Sequence, residues 1–366
     1  AENAVLTILS QRIIAGAYQI FTGSGKVSYM SNLTVSFIEW FGGSVLDEDN
    51  SVALQKAVDA CDCVYFQKGF YKLSSTVYIP QGRNITIKGF ALKKTFLILS
   101  ENTNAFVYER NPEFKGTKLL FANLMVGAKQ SCNFIKFKGF ENARDNELYA
   151  YNVNFNDINY AYDVEYCDRL FFFLHRGSLI ECLFKLSYCR NFACDSFLAV
   201  GSGVFLNAED SEKIKLYNIA SVSGYRIDVA MKRCRNISIK QGGLDASTYR
   251  TEEDFKKSYA AADFVDCEDI NFEGHWIASN NAPAGLQQKF ASPKRNGIEM
   301  HNCRNANIAG NSIVNSCCGI YAEGCKNISI VGNKGEGNLL HDYFIKNSQV
   351  TMDYNSCLSF AWRKIE

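Results

Sequence analysis

A short motif recurs along this chain at intervals of about 22 residues. In its full form it reads Cys-x-(Asn/Asp/Arg)-apolar-x-apolar, and another residue replaces the cysteine in five of the eleven copies. The copies are anchored at positions 82, 116, 145, 167, 189, 211, 234, 267, 303, 325 and 347. Intervals longer than 22 indicate insertions into a constant unit, so the sequence predicts an architecture of stacked repeats.

The residues three and five positions after every anchor are apolar, as at Ile237 and Ile239. A second alternating segment lies just before most anchors, as at Ile298 and Met300. Alternation with a period of two is typical of short β-strands, and a unit of this length buries its apolar residues only against its neighbours. We therefore predict an all-β fold, a right-handed parallel β-helix of about eleven rungs with an inward-facing column of anchor residues.

The composition agrees with a well-buried globular fold and excludes several function classes. The 366 residues include 39 basic and 38 acidic side chains, so the chain lacks the basic excess of a general nucleic-acid or membrane-surface binder. No apolar run reaches about 18 residues, which argues against membrane insertion. Six of the 14 cysteines are anchors, and we interpret them as reduced thiols packed in the core.

The segment before the first anchor has a different pattern. Asp49 and Asn50 are suitable helix N-caps, and the residues from 51 to 60 place apolar side chains at helical spacing. We expect a short capping helix at about 51–60 that covers the open end of the β-helix. The predicted organisation is an N-terminal extension or neck at 1–45, the β-helix at 46–352 with rungs anchored from 82 to 347, and a C-terminal tail at 353–366.

Three motifs mark the start of the predicted β-helix. They are Glu39-Trp40-Phe41-Gly42, Asp49-Asn50-Ser51-x-Ala53-Leu54-Gln55-Lys56-Ala57 and Val64-Tyr65-Phe66-x-x-Gly69-x-Tyr71. Together they resemble the start of the pectate-lyase-like β-helices. Later repeats, such as Cys325-Lys326-Asn327-Ile328-Ser329-Ile330, are similar to the generic repeats that lyases, hydrolases and epimerases of this superfamily share. Within the superfamily the chain looks most like bacteriophage tailspikes and capsule depolymerases, from about residue 39 to residue 352.

The resemblance implies a function and an assembly. It implies a homotrimeric phage tailspike that folds in the host cytoplasm, becomes part of the virion tail, and binds and hydrolyses a bacterial surface polysaccharide, either O-antigen or capsule. Tailspikes usually carry an N-terminal virion-binding domain, whereas only about 40 residues precede the motifs here. We therefore expect contact with a tail or baseplate protein through a short or missing N-terminal segment. The chain is then either a shortened tailspike or one whose β-helix makes the trimer contacts itself.

Acidic side chains cluster on two neighbouring repeats. The residues four positions before each anchor are expected to form an outward-facing column, in which Asp263 and Glu299 are neighbours. The residues two positions before each anchor form a second outward column, which contains His301 and Glu323. Neighbouring strands lie about 4.8 Å apart, and glycoside hydrolysis needs two carboxylates about 5 Å apart for retention or about 6.5–9.5 Å apart for inversion. We predict that Asp263 and Glu299 are catalytic and that His301, Glu323 and Tyr321 bind substrate.

The same two repeats receive long insertions, about 11 residues before Cys267 and about 14 before Cys303. Loops added to a rigid scaffold beside stacked acids are expected to form the walls of a binding groove. Further predicted substrate-binding residues around these repeats are Tyr249, Arg250, Asp228 and Trp276. Glu273, six residues after Cys267 on the other strand, is a rival candidate for the catalytic acid.

Two other functions fit the same sequence. A polysaccharide lyase would act by β-elimination with an Arg or Lys base and with Ca²⁺ held by the acids, and its candidate bases are Arg226, Lys185 and Arg250. No basic residue occupies the outward column beside Asp263 and Glu299, however. A non-catalytic receptor-binding adhesin would carry the acids only as solvated surface groups. The four histidines show no metal-ligand spacing and no nucleotide-binding motif is present, so we predict neither a metal site nor a cofactor.

Overall fold

A computed structural model of the chain describes residues 5–10, 13–22, 26–29, 34–91, 93–128, 131–143, 145–222, 224–245, 260–278, 295–357 and 363–365. The chain divides into two compact units, Ala1–Arg176 and Gly177–Glu366. Within each unit, short strands pair in parallel with strands one turn earlier and one turn later in the chain. This arrangement is a parallel β-helix, so the fold class predicted from the repeats is confirmed.

The first unit contains the helices and the earlier turns. Its strands are Val5–Ile8, Lys26–Tyr29, Ser36–Phe37, Cys63–Phe66, Gly69–Leu73, Val77–Tyr78, Asn84–Gly89, Thr95–Leu99, Asn104–Glu109, Lys118–Gly127, Asn133–Lys138 and Glu147–Glu165, and its 3₁₀-helix is Ile38–Phe41. The first two strands pair with each other, and the others stack turn upon turn. The strand Arg169–Ser187 continues from this unit into the second one.

An α-helix, Ser51–Ala60, occupies the segment predicted for the capping helix. The Asp49 carboxylate accepts a hydrogen bond from the Ser51 amide at 2.9 Å, which satisfies one of the free amides at the start of the helix. Leu54 and Val58 are fully buried on its inner side. The helix therefore covers apolar residues of the first turn. In the described part of the chain no helix is long and apolar enough to cross a membrane.

The second unit has up to three strands in each turn. Its first sheet consists of the end of Arg169–Ser187 and of Val204–Glu209, Ile227–Lys232, Ala262–Val265, Ile298–His301, Cys318–Glu323, His341–Lys346 and Arg363–Ile365. Its second sheet consists of Arg304–Ala309, Lys326–Val331, Val350–Asp353 and the first halves of Arg190–Val200, Glu212–Val222, Arg235–Asp245 and Glu268–Ala278. Its third sheet consists of the second halves of those long strands and of Ser312–Val314, Lys334–Glu336 and Ser356–Cys357.

The anchor cysteines form an inward column at the corner between the first and second sheets. The Cys267 thiol donates to the carbonyl of Met231 at 3.4 Å, and the Cys303 thiol donates to the carbonyl of Phe264 at 3.3 Å. Each of these bonds reaches back by one turn. The cysteines of the described residues are all free thiols. The column therefore consists of packed thiols that satisfy backbone carbonyls at the corner.

The third position of the motif has a conformational role. Asn305 and Asn327 have φ angles of 55° and 56°, and Asp269 has a φ angle of 56°. Asparagine and aspartate adopt this left-handed conformation more readily than most other side chains. The preference for Asn or Asp two residues after the anchor is therefore a requirement of the corner.

The last turn differs from the prediction by one residue. An anchor at position 347 places Tyr343 and Ile345 on the outside, but both are only 2% exposed. Ser348 occupies the anchor position instead, and its Oγ accepts the backbone amide of the anchor cysteine one turn earlier at 2.9 Å. One additional residue reverses the alternation of a strand, so Phe344 and Lys346 are the outward residues.

Candidate active site

The first sheet of the second unit carries the predicted acidic cluster on its outer face. Asp263 pairs with Glu299 on the adjacent strand, and Glu299 pairs with Tyr321 on the next one. His301 pairs with Glu323 in the neighbouring outward column. Adjacent strands are about 4.8 Å apart, so the structure brings these five predicted residues together.

Asp263 is a partly buried acid at one end of this cluster. Burial, together with the nearby Glu299 carboxylate, raises the pKa of Asp263 to about 6, and His301 partly offsets that rise. Within the described residues, no group forms a hydrogen bond to its Oδ1 atom. A carboxylic acid that keeps its proton to this pH is suited to protonate a leaving oxygen.

The Glu299 carboxylate is held by two neighbouring side chains. Nδ2 of Asn296 donates to Oε2 at 3.2 Å, and Nε2 of His301 lies 2.8 Å from Oε1. The Glu299 side chain is 22% exposed, so a solute can reach a carboxylate whose orientation is already defined. Glu299 is therefore suited to act as a base or a nucleophile beside the acid Asp263.

Glu323 forms a polar network on the other side of His301. Its Oε1 accepts a hydrogen bond from Nζ of Lys346 at 2.7 Å, and its Oε2 accepts one from the Tyr321 hydroxyl at 2.8 Å. These two bonds hold the pKa of Glu323 below its usual range. Nδ1 of His301 lies 3.7 Å from Glu323 Oε2, so the imidazole is placed between two carboxylates.

Tyr321 and Phe344 form an aromatic pair next to Glu299. Their rings are stacked with centroids 5.2 Å apart and planes 2° apart, and the His301 ring lies 5.5 Å from that of Tyr321. Flat apolar rings beside acids suit the combination of apolar faces and hydroxyls on a sugar. The repeat pattern did not indicate Phe344, because a last repeat of 22 residues places this side chain inward. Asp342, an acid at an expected apolar position, was the signal of the shift.

Glu273 and Trp276 lie on other sheets of the same turn as Asp263. Glu273 belongs to the second sheet, where it forms an ion pair with Lys240 beside an open depression of about 440 Å³. Trp276 is exposed on the third sheet. The corner at Asp266, where φ is 54°, separates these strands from the acidic face. The rival acid therefore does not share a site with Asp263.

Asp228 lies in the interior. Its side chain is 1% exposed and accepts a hydrogen bond from the Ser221 hydroxyl at 2.5 Å. Burial and the nearby Asp245 raise the pKa of Asp228 to about 7. A polymer on the surface cannot contact this carboxyl, which corrects the prediction that Asp228 binds substrate. Tyr249 and Arg250, the other predicted binding residues of this region, lie outside the described residues.

The cluster contains side chains of metal-binding types, namely Asp263, Glu299, His301 and Glu323. Across the residues that the structure describes, however, no group of three or more His, Cys, Asp or Glu side chains is arranged to hold a metal ion.

Comparison with known proteins supports the fold. No protein-family model matches the sequence, and no curated protein sequence matches it significantly. The surface adhesin PfbA of Streptococcus pneumoniae is similar in structure, with a TM-score of 0.53 and 12% identity over 91% of this chain and 91% of that chain. The A-module of the mannuronan C-5 epimerase AlgE6 of Azotobacter vinelandii has a TM-score of 0.51 and 12% identity over 90% of this chain and 97% of that chain.

A bacteriophage protein has a comparable structure. The N-terminal fragment of gene product 12 of bacteriophage Phi29 has a TM-score of 0.51 and 11% identity over 88% of this chain and 70% of that chain. These three proteins include an adhesin, an enzyme and a phage protein. At such low identities the similarity establishes the parallel β-helix fold alone, and the function has to be argued from the residues of the site.

Proposed function

We propose that this chain is a phage tailspike depolymerase that binds a bacterial surface polysaccharide, O-antigen or capsule, and hydrolyses its glycosidic bonds. The observation that carries the proposal is the pairing of Asp263 with Glu299 on adjacent strands of an outward face. The N-terminal motifs that resemble tailspikes support it. The phage gene product and the mannuronan C-5 epimerase share the fold of this chain.

In the proposed reaction the two acids have different roles. Asp263 donates its proton to the glycosidic oxygen while the bond between that oxygen and the sugar C1 breaks. Glu299 either attacks C1 or removes a proton from an attacking water, depending on the separation of the carboxylates in the complex with substrate. His301 orients Glu299, and Tyr321 with Phe344 supports a neighbouring sugar ring.

The assembly belongs to the same proposal. We propose that the chain forms a homotrimer and is attached to the virion tail. A tailspike in this position would bring the acidic face of the β-helix to the host surface, where long polysaccharide chains are available.

Hydrolysis is favoured over β-elimination by the positions of the basic side chains. Arg226, one candidate base for a lyase, forms an ion pair with Glu181. Lys185 lies on the same sheet as Asp263 but is separated from it by the strands Val204–Glu209 and Ile227–Lys232. Arg250, the third candidate base, lies outside the described residues. Among the residues that the structure describes, the acid pair is better supported as the catalytic machinery than a basic side chain.

The test is to incubate the purified protein with O-antigen and capsule preparations from a panel of bacteria. New reducing ends without ultraviolet absorbance of an unsaturated uronic acid would indicate hydrolysis, and that absorbance would indicate elimination. We expect Asp263→Asn and Glu299→Gln to lower the rate by about 100-fold or more while polymer binding is retained. Glu336→Gln is the matched control, because Glu336 is an outward acid of the third sheet that pairs with Lys334 at 2.7 Å.

Three results would contradict the proposal. Full activity of both acid variants would show that the site is elsewhere. An equal loss in Glu336→Gln would show that the substitutions act through stability alone. Polymer binding without either product signal would favour an adhesin.

A further inference from the structure

Asn296 connects the Glu299 side chain to the backbone of the next turn. Its Oδ1 accepts a hydrogen bond from the amide of Cys318 at 3.0 Å, and its Nδ2 donates to Glu299 Oε2 at 3.2 Å. Because the acceptor and the donor ends of the side-chain amide both have partners, its orientation is defined. The residue is only 9% exposed.

The backbone around Asn296 is also held in place. The carbonyl of Asn296 accepts the amide of Ala261 at 3.1 Å, and the carbonyl of Arg295 accepts the amide of Cys317 at 2.6 Å. The buried Arg295 guanidinium donates to the carbonyl of Tyr225 at 2.7 Å. Asn296 therefore presents its amide to Glu299 from a rigid support, which is the condition for preorganising a catalytic group.

Other corner asparagines of this unit show what is unusual about Asn296. Asn333 and Asn355 each accept a backbone amide at 2.9 Å and donate to backbone carbonyls at 2.8 and 2.7 Å, respectively. These residues serve only the scaffold. Asn338 also accepts a backbone amide, and it donates to the carboxylate of Asp342 at 2.6 Å, but Asp342 is buried. Asn296 differs in that its Nδ2 donates to an outward carboxylate, that of Glu299, which is 22% exposed.

We propose that Asn296 is a positioning residue that holds the Glu299 carboxylate in its reactive orientation. The inference rests on the proposed function, because it assigns Asn296 a task in the same reaction. One Glu299 oxygen is then held by the scaffold and the other by His301, which leaves little freedom for rotation away from Asp263.

Two substitutions separate this task from the support of the corner. Asn296→Asp keeps the acceptor for the Cys318 amide but replaces the donor with an oxygen that repels Glu299. Asn296→Ser keeps a hydroxyl acceptor, as Ser348 does for a backbone amide at 2.9 Å in the last turn, but it is too short to reach the carboxylate. The matched control is Asn355→Asp, because Asn355 donates to a backbone carbonyl.

We expect both Asn296 variants to lower kcat by about 10–100-fold with little change in KM, since a small misplacement of a reacting group has costs of this order. Asn296→Asp should also change the pH–rate profile, and Asn296→Ser should not, because only the aspartate adds a carboxylate beside Glu299. Asn355→Asp should leave the profile unchanged. Wild-type kcat and pH profile in both Asn296 variants, or the same changes in Asn355→Asp, would overturn the inference.

A measurement without substrate separates this inference from the proposed function. In ¹⁵N NMR spectra of the full chain, the side-chain amide signal of Asn296 should shift in Glu299→Gln, because that substitution replaces the carboxylate that accepts from its Nδ2. The Asn355 signal should not respond to that substitution. An Asn296 signal that ignores Glu299→Gln would overturn the positioning contact, whereas a failure of the wild type to cut any polymer would overturn only the proposed hydrolysis.

Discussion

Replacement of Asp263 by asparagine should stabilise the folded chain at neutral pH while it removes the proposed acid. Burial and the neighbouring Glu299 raise the pKa of Asp263 from its ordinary 3.8 to about 6. This difference corresponds to a preference of at most about 3 kcal/mol for the protonated form in the folded state. Asp263 is therefore expected to lower the free energy of unfolding at every pH at which its carboxylate is ionised.

The sign of the effect follows from proton binding. The folded chain holds the Asp263 proton more tightly than the unfolded chain, so this stabilisation is complete below pH 3.8 and is lost as the pH rises through about 6. Asparagine has no charge to bury at any pH. The gain in the free energy of unfolding for Asp263→Asn should consequently grow between about pH 4 and pH 7, by up to about 3 kcal/mol.

The assay is urea-induced unfolding of wild type and Asp263→Asn at several pH values between 4 and 8, with Glu336→Gln as the control. In a Glu299→Gln background the gain should be smaller, because one of the causes of the raised pKa is then absent. A gain that is independent of pH, or one that is largest at acidic pH, would refute the reasoning. Activity gives a second readout, since the rate of the wild type should fall as the pH rises above about 6.

Four other variants test the aromatic pair and the buried thiols. Phe344→Ala should raise KM roughly tenfold with a smaller change in kcat, because it removes one of the two stacked rings. Phe344→Tyr is the control, because it retains the ring. Equal kinetics of the two variants would contradict a sugar-binding role. Cys267→Ser should cost no more than about 1 kcal/mol in urea unfolding, because the carbonyl of Met231 can accept its hydroxyl. Cys194→Ser should cost about 1–3 kcal/mol, because Cys194 is fully buried and has no hydrogen bond to a described residue; equal losses would refute this.

Much of the fold could be predicted because the repeat is a local pattern. The apolar residues three and five positions after the anchors are buried, except that Val350 and Met352 at the last turn are partly exposed. Alternation specifies which side of a strand faces inward, and stacking of equivalent positions then specifies its neighbours. The pairing of Asp263 with Glu299 follows from this rule even though a long insertion separates them.

The errors arose where alternation no longer applied. Asp228 lies at the start of the strand Ile227–Lys232, before inward and outward side chains begin to alternate regularly. It is buried beside Ser221, and a period of two does not predict this burial. Phe344 was misplaced because the last turn contains one additional residue before its anchor. In both cases the local path of the backbone at a corner decided the direction of the side chain.

The sequence by itself determined the stacked architecture, the inward thiol column and the pairing of the two acids, because each depends on the order of residues within a repeat. Only the tertiary structure decided which chemistry surrounds those acids. The contact of Asn296 with Glu299 and the separation of Glu273 from Asp263 depend on where each corner turns the chain. The raised pKa of Asp263 likewise depends on how much solvent its neighbours exclude, a quantity that no residue spacing contains.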